Sequence, residues 1–367
     1  MRRFAYPTWG VYAVGMFFVL LGGTALFGQS SPARKETVQL KSLPVKFDKD
    51  YGAAIARLGE GKYGEGRLHQ MDATLVEIPP GGKLAPHKHL AEEMIYIVSG
   101  QGYTNMWKPG TSAKDGKRYD WKTSDVLSPS LNVWHEHVNT SATEPARFLS
   151  MTSTPSMVRL VGDPKFLASS DYVFEDRWQK GLQEPKFLEI TGKRGGGKMV
   201  TDRSNMAIGH IIRDMMNIKM PISFGDPNYP EEGINVVPAE GLVVTPTAET
   251  AKAASQAGMA GNLLFEWQNR EVIKTDAGGI HDAGDHHHAW EVVYFCPRGE
   301  LVTYITRQGK GQPQRKITWK EGDLIIIEAD EIHQHELVQK GTRFLQFKVS
   351  GYFRGSGIIG GGMAGSN

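Results

Sequence analysis

One cysteine, Cys296, occurs in 367 residues. A single thiol excludes an internal disulfide, so the fold has to rest on a packed core. The apolar run Val292–Phe295 before it and the Pro-Arg-Gly after it predict a strand end with a buried, inert thiol. An excess of one charge is also lacking. Lys and Arg number 42 against 40 Asp and Glu, a formal charge of +2, which removes the electrostatic case for a nucleic-acid partner. What is plentiful is turn-forming residue. Gly at 43 and Pro at 19 favour a turn-rich β protein over a helical bundle. The length accommodates two ordinary domains plus connecting material.

Arg2 and Arg3 precede an uncharged stretch from Phe4 to Pro32, with its apolar heart at residues 9–27. A signal-peptide core runs to about 7–15 residues and a spanning helix to about 20; this segment lies between them. The small residues Gly28, Ser30, Ser31 and Ala33 suit cleavage, and the arginines favour a cytoplasmic N-terminus with everything downstream exported. The expectation for residues 1–33 is a hydrophobic helix that serves as a cleaved signal peptide, in preference to the alternative of a retained membrane anchor through residues 9–27. The rest of the chain is then extracytoplasmic, either periplasmic, secreted or held at the membrane. A buried core helix does not fit, because nothing polar marks a solvent face.

Residues 34–67 are polar and Gly-rich, predicting an extended arm with a short helical piece at Tyr51–Leu58. The run Gly59–Gly64 matches GxGxxG by letter, but it follows no convincing strand and reads as a loop. Residues 68–153 alternate short strands (ATLVEI, MIYIVSG, GYTNMW, RYDW, ARFLSMT) with turns, the pattern of a sandwich or barrel. Residues 154–258 differ and predict a mixed connecting region. Within it, DYVFEDRW at 171–178 suits a short helix or an edge strand, and the Ala-rich 248–261 suits a helix. Gly192–Lys198 has the spacing of a phosphate loop, but Met199 stands where Ser or Thr would reach magnesium, so it reads as a solvated basic loop. The β pattern returns over 259–353 (LLFEW, EVVYFC, LVTYIT, KITW, DLIIIEA, RFLQFKV) in the same order as before, an internal duplication. Residues 354–367 form a Gly-rich tail.

The histidines carry the chemistry. Of the 12, only His69 and His210 stand apart; the others form clusters at 87/89, 135/137, 281/286–288 and 333/335. Residues i and i+2 of a strand share a face, so His87 and His89 can both enter a barrel lumen. Glu93 follows past a corner, and a return strand can bring His135 to the same centre. Three imidazoles and one carboxylate suit a divalent transition metal: Fe(II), Mn(II), Ni(II), Cu(II) or Zn(II).

The run GGKLAPHKHLAEEMIYIVSG, with Gly81, His87, His89, Glu93 and Gly100, resembles the first cupin motif with every signature residue in place. The run SDVLSPSLNVWHEHVN keeps Pro129, His135 and Asn139 of the second motif, with Ser124 near its first Gly position and no Gly after Pro129. The resemblance implies an all-β fold of two cupin barrels (double-stranded β-helix, jelly roll). In the second half, DHHHAWEVVYFCPRG aligns His286 and His288 with the pair, places Val292 where the carboxylate belongs, and leaves Glu291 facing outward. A slipped register through Asp285, His287 and Glu291 misses the closing Gly by one. Gly322 to His333 has the second motif's spacing, with Glu328, Asp330 and Leu337 at the Pro, Gly and Asn positions. The implied second site is His286, His288 and His333, either a three-histidine centre or a vestigial one.

RYDW followed by NVWHEHVN resembles the gentisate and hydroxynaphthoate dioxygenase type of bicupin, which implies Fe(II) chemistry at His87, His89 and His135. Glu93 departs from that type and instead resembles the oxalate decarboxylases, which implies Mn(II). The readings are therefore a dioxygenase-like oxidoreductase acting on a small aromatic or carboxylate substrate, a decarboxylase-like manganese enzyme, and a binding or storage cupin. Glu93 can hold the metal or act as a base. His137, on the face of His135, is read as a rim residue or a base beside the metal. Trp134 and Tyr96 are expected on the opposite strand faces. A carboxylate substrate would want an arginine nearby, and the sequence does not name one. A homo-oligomer is implied by the family alone.

Overall fold

The computed structural model describes residues 36–59, 68–175, 178, 186–193, 201–217, 231–238, 266–272, 286–306, 314–349 and 362–363. The N-terminal hydrophobic segment, residues 60–64, residues 194–198, the helix expected at 248–261 and most of the C-terminal tail lie outside them.

Among the described residues, regular structure is strand apart from the helices Thr154–Val161 and Pro164–Ser169 and one 3-10 turn at Ala113–Asp115. The first half places a sheet of Lys83–His87, Trp134–Asn139, Gln101–Trp107 and Lys117–Lys122 against a larger sheet. The larger sheet holds Val126–Leu127, Glu93–Ser99, Ala146–Thr152, Asp72–Ile78 and Ala53–Arg57 in that lateral order. The second half repeats the first order as His286–His287, Ile332–Glu336, Glu300–Thr306 and Arg315–Lys320, and the second as Asp323–Ile327, Val292–Arg298 and Arg343–Lys348. The duplication read from the sequence is thus a duplication of strand order.

Strand alternation explains why the central strands read as unbroken apolar runs. In Glu93–Ser99, Ile95 and Ile97 face the first lumen with Phe148, Val76 and Leu84. Met94, Tyr96 and Val98 face the other way, into a core shared with Val293, Phe295, Leu345 and Phe347 of the second barrel. Val292–Arg298 mirrors this, with Val292, Tyr294 and Cys296 in its own lumen. A strand buried on both faces has no polar side to show. The Tyr96 and Phe295 rings meet across the seam at 5.1 Å. Each such buried side chain stabilises by about 1.5–3 kcal/mol, so the barrels are joined through their cores. Cys296 is buried as expected, and burial pushes its thiol up to about 12.

The arm corrects the sequence reading. Tyr51–Leu58 was expected to hold a helical piece, but Ala53–Arg57 is a strand paired with Asp72–Ile78. Ala53 and Ile55 are buried while their neighbours are not, a period of two that overrides the helix propensity of alanine. Earlier in the arm, Val38–Gln39 pairs with Asp323–Ile327 of the second half, so the arm spans both barrels. The connecting region also supplies strands. Ile211–Ile212 covers the edge at Val126–Leu127. Glu266–Val272, at the start of the second β region, extends the second large sheet, and Glu231–Pro238, Thr201–Gly209 and Lys186–Lys193 of the connecting region continue it. Gly192 and Lys193, expected in a basic loop, belong to the last of these strands.

Two turns close both hairpins alike. Gly100 (φ 91°) and Gly299 (φ 90°) sit against the backbone of Ala146 and Thr342, where a Cβ would lie 2.7 and 2.8 Å from the facing Cα. Ser124 (φ 75°) and Asp330 (φ 62°) hold the left-handed conformation at positions where the motif prefers Gly, at a cost of about 1 kcal/mol each. The turns survive the substitutions, and so do the ligand positions they aim.

Candidate metal centre

Antiparallel pairing brings the first centre together. His135 sits opposite His87 in the register of Trp134–Asn139 with Lys83–His87. The chain then turns through His89, whose carbonyl accepts from Asn132 N at 3.0 Å, and Glu93 begins the next strand. One ligand atom from each of His87, His89, Glu93 and His135 falls within 4.8 Å of all the others. In each imidazole Nδ1 is held by a carbonyl two residues away: Ala85 at 2.9 Å, Ala91 at 2.8 Å and Val133 at 3.0 Å. A carbonyl only accepts, so Nδ1 carries the proton and the Nε2 lone pair is left for the centre.

The electrostatics match. Burial, reinforced by His135, pushes His87 well below the usual imidazole range. Burial also works against a charged His89, but the Glu93 carboxylate outweighs it and raises that pKa. Burial would raise Glu93, yet His135 and His89 hold it well below the ordinary carboxylate range. Glu93 Oε2 lies 3.4 Å from Nε2 of both His89 and His135, while Glu93 Oε2 and His135 Nε2 remain buried without a hydrogen bond. Buried polar atoms normally have partners. An ionised carboxylate and three Nε2 atoms converging on one point form the donor set a divalent transition metal takes up, in exchange for any proton that Glu93 holds on His89, so the residues fit such an ion.

Sequence reasoning missed three side chains here. Ser150 donates from Oγ to Glu93 Oε1 at 2.5 Å. Its signal lay in ARFLSMT, where the lumen positions Ala146, Phe148, Ser150 and Thr152 turn polar next to the metal motif. Tyr51 and Asp72 line a cleft of about 490 Å³ that reaches His87, His89 and Glu93, with Thr74, Ser150 and Thr152 also in its wall. Asp72 Oδ1 accepts from Thr152 N at 3.0 Å and Oγ1 at 2.8 Å, and burial raises its pKa to about 6. Burial, with the Glu93 charge, raises the Tyr51 phenol further. Both residues lie outside the motifs and become neighbours only through sheet pairing.

His137 is not a rim residue; only 1% of it is exposed. Its Nδ1 pairs with Thr104 Oγ1 at 2.7 Å, and Thr104 accepts from Trp121 Nε1 at 3.0 Å. Burial and then His135 bring its pKa to about 3, leaving the ring neutral. The second barrel repeats the arrangement in His335, Thr303 and Trp319. Tyr96 packs between the barrels and Trp134 stacks on Trp107 at 6.4 Å, both turned from the centre as expected. Asn139 Nδ2 bonds the carbonyls of Ile78, Pro79 and Glu144, which explains its place in the motif as a strand tie.

In the second barrel His286, His288 and His333 converge within the same limit. His286 is paired with His333, and His333 Nδ1 is held by the Glu331 carbonyl at 2.9 Å. Val292 stands at the carboxylate position, packed in the lumen. Of the slipped alternative, Asp285 lies outside the described residues, and His287 and Glu291 point to different partners. His287 approaches the exposed Asp330 at 3.7 Å. Glu291, expected outward, is buried against the first barrel, where it accepts from the backbone N–H groups of His69, Gln70 and Met71 at 2.5, 2.9 and 3.4 Å. The seam between the barrels had no sequence signal to reveal this.

Comparison places the architecture. Residues 74–152 match the family described as the cupin domain. Salicylate 1,2-dioxygenase from Pseudoaminobacter salicylatoxidans, as a variant in complex with gentisate, superimposes with a TM-score of 0.55 at 12% identity over 89% of this chain and 82% of that one. The same dioxygenase in a further crystal structure gives 0.54 at 12% identity over 86% and 81%. An oxalate decarboxylase variant of Bacillus subtilis gives 0.47 at 11% identity over 87% and 78%. No curated protein matches in sequence. At these identities the likeness is one of fold. Residues 74–152 thus form a cupin domain, and the repeated strand order together with the likeness of fold gives the chain the architecture of two jelly-roll barrels in one polypeptide.

Proposed function

We propose that this bicupin is a metal-dependent oxidoreductase of dioxygenase-like type, acting at its first centre on a small substrate that offers oxygen donors. The observation that carries the reading is the pair of unsatisfied buried atoms, Glu93 Oε2 and His135 Nε2, with Glu93 itself in the wall of a cleft large enough for a small molecule. Fe(II) or Mn(II) bound there would supply Lewis acidity and an open coordination position. The chain's own residues hold it through His87, His89, His135 and Glu93. Carbonyl bonds orient the imidazoles, Ser150 orients the carboxylate, and the lumen excludes bulk water on the far side. Neutral His137 can hydrogen-bond within the lumen but does not carry charge there. The second centre lacks the carboxylate and has a different role. The apolar N-terminal segment supports a location outside the cytoplasm, periplasmic, secreted or membrane-held, and a homo-oligomer is part of the same proposal.

A decarboxylase-like manganese enzyme is the second reading, favoured by Glu93 beside three histidines. Metal analysis of the purified chain, followed by oxygen uptake with 1,2-dihydroxybenzene and dihydroxybenzoates and carbon dioxide release from oxalate, tests both. Oxygen uptake supports the first reading and carbon dioxide release without net oxygen uptake the second. A metal-free chain, or a loaded one silent in both assays that is merely stabilised by ligand, would overturn the enzymatic reading in favour of a binding cupin.

A further inference from the structure

Resting on the metal centre proposed above, we infer that the cleft of the first barrel selects a neutral ligand bearing adjacent hydroxyl groups, a diol or diphenol, and disfavours carboxylates, with Asp72 as the selecting residue. The register places Asp72 for this. Thr152 pairs with Glu93 on one side and with Asp72 on the other, so Glu93, Thr152 and Asp72 form one row across three strands on the lumen face. Neighbouring strands lie about 4.8 Å apart, which puts the Asp72 backbone about 10 Å from that of Glu93. A small ligand gripping a metal at Glu93 reaches toward Asp72 across Thr152. Both hydrogen bonds from Thr152 fall on Asp72 Oδ1, leaving Oδ2 to accept from something in the cleft. The cleft also offers the hydroxyls of Tyr51, Thr74, Ser150, Thr152 and Thr154, beside the apolar Leu84, Ala85 and Pro86.

The charge balance points the same way. A divalent ion is offset by Glu93 and Asp72, so the loaded cleft presents no net positive charge to an anion. Among the described lining residues, Lys49 is the only lysine or arginine; it is exposed at the rim beside the exposed Asp50. A buried carboxylate is ordinarily recognised by a charge-assisted donor, with bidentate arginine the strongest form. Here a substrate carboxylate would instead meet the Asp72 carboxylate, whereas a hydroxyl beside the metal-bound oxygen donates to it. The raised Asp72 pKa agrees with a carboxylate sitting in a poorly hydrated wall.

The test uses the full chain loaded with Mn(II) under nitrogen, with 1,2-dihydroxybenzene, benzoate and oxalate as calorimetric probes and metal content measured on every sample. The diphenol should bind at least about tenfold more tightly than either carboxylate, since like-charge juxtaposition is a strong discriminator. Asp72→Asn should keep its metal, weaken the diphenol and strengthen benzoate, bringing the ratio near one. Tighter binding of a carboxylate by the wild type, a ratio unmoved by Asp72→Asn, or no diphenol binding with metal retained would each overturn the inference while leaving the metal centre standing. Absence of metal would remove both. The wild-type comparison needs no variant, so it decides even if Asp72→Asn folds poorly.

Discussion

Ser150→Ala removes the hydrogen bond on Glu93 Oε1, a 2.5 Å contact from a side chain that is 1% exposed. A hydrogen bond to a charged group contributes about 1.5–3 kcal/mol. How much of this appears as lost metal affinity depends on what the carboxylate can do instead. Without metal, Glu93 can pair with a protonated His89, whose Nε2 is 3.4 Å away, and recover part of the loss. With metal bound, that proton is displaced and Oε1 is left unsatisfied. The cost therefore falls mainly on the loaded state. Loss of a residue that orients a ligand typically weakens metal binding about 10- to 100-fold, equivalent to about 1.4–2.7 kcal/mol. The two estimates overlap, so the expected result is a 10- to 100-fold weaker Mn(II) affinity by chelator competition, with metal-free stability lowered by about 1 kcal/mol or less. Wild-type affinity in Ser150→Ala, with Glu93→Gln still impaired, would refute the idea that Ser150 orients the metal-binding carboxylate.

Other substitutions test other parts of the structure. His87→Ala and His135→Ala should each abolish metal at the first centre and spare the second, and His333→Ala should do the reverse; elemental analysis after gel filtration separates the two. Glu291→Ala strands the backbone N–H groups of His69 and Gln70, which it binds at 2.5 and 2.9 Å, at about 1–3 kcal/mol each. Calorimetry should therefore show a melting temperature lower by several degrees, and an unchanged value would deny the inter-barrel clamp. Asp330→Gly relieves the backbone at φ 62° and should stabilise by about 0.5–1 kcal/mol in denaturant melts; destabilisation would show that the side chain matters more than the strain. Asp72, raised from 3.8 to about 6, binds its proton more tightly folded than unfolded. Its contribution is full below pH 3.8 and is lost as pH rises through about 6. In metal-free protein, Asp72→Asn should match wild type near pH 4 and exceed it by roughly 1–3 kcal/mol at pH 8, and parallel stability curves would contradict the raised pKa.

The local pattern made much of the first centre legible. His87 and His89 share a face because strand period is two, Glu93 follows a short corner, and the closing Gly100 is required by a turn at φ 91° that passes the Ala146 backbone. The same spacing in the second half gave His286, His288 and His333, with Val292 in place of the acid. The bias toward short strands with turns gave the fold class, and the repeat of motif order gave two barrels.

What the sequence alone determined was therefore everything carried by neighbours along one strand: the period, the turn and the residue types at fixed offsets. Tertiary structure alone decided which strands lie side by side. Pairing across the large sheet put Ser150 on Glu93 and set Asp72 in the same row. Packing of the two outer faces turned Glu291 inward to cap three N–H groups of the other barrel, and His137, read as a rim residue, was enclosed by Thr104, Trp121 and Phe148. Ala53–Arg57 became a strand because Asp72–Ile78 offered an open edge to pair with. The physical reason is that hydrogen-bonded register joins residues tens of positions apart, and a burial pattern on one strand does not name its neighbour. The first centre's four ligands were visible because their spacing is local; the side chains that tune them were not, because theirs is set by the sheet.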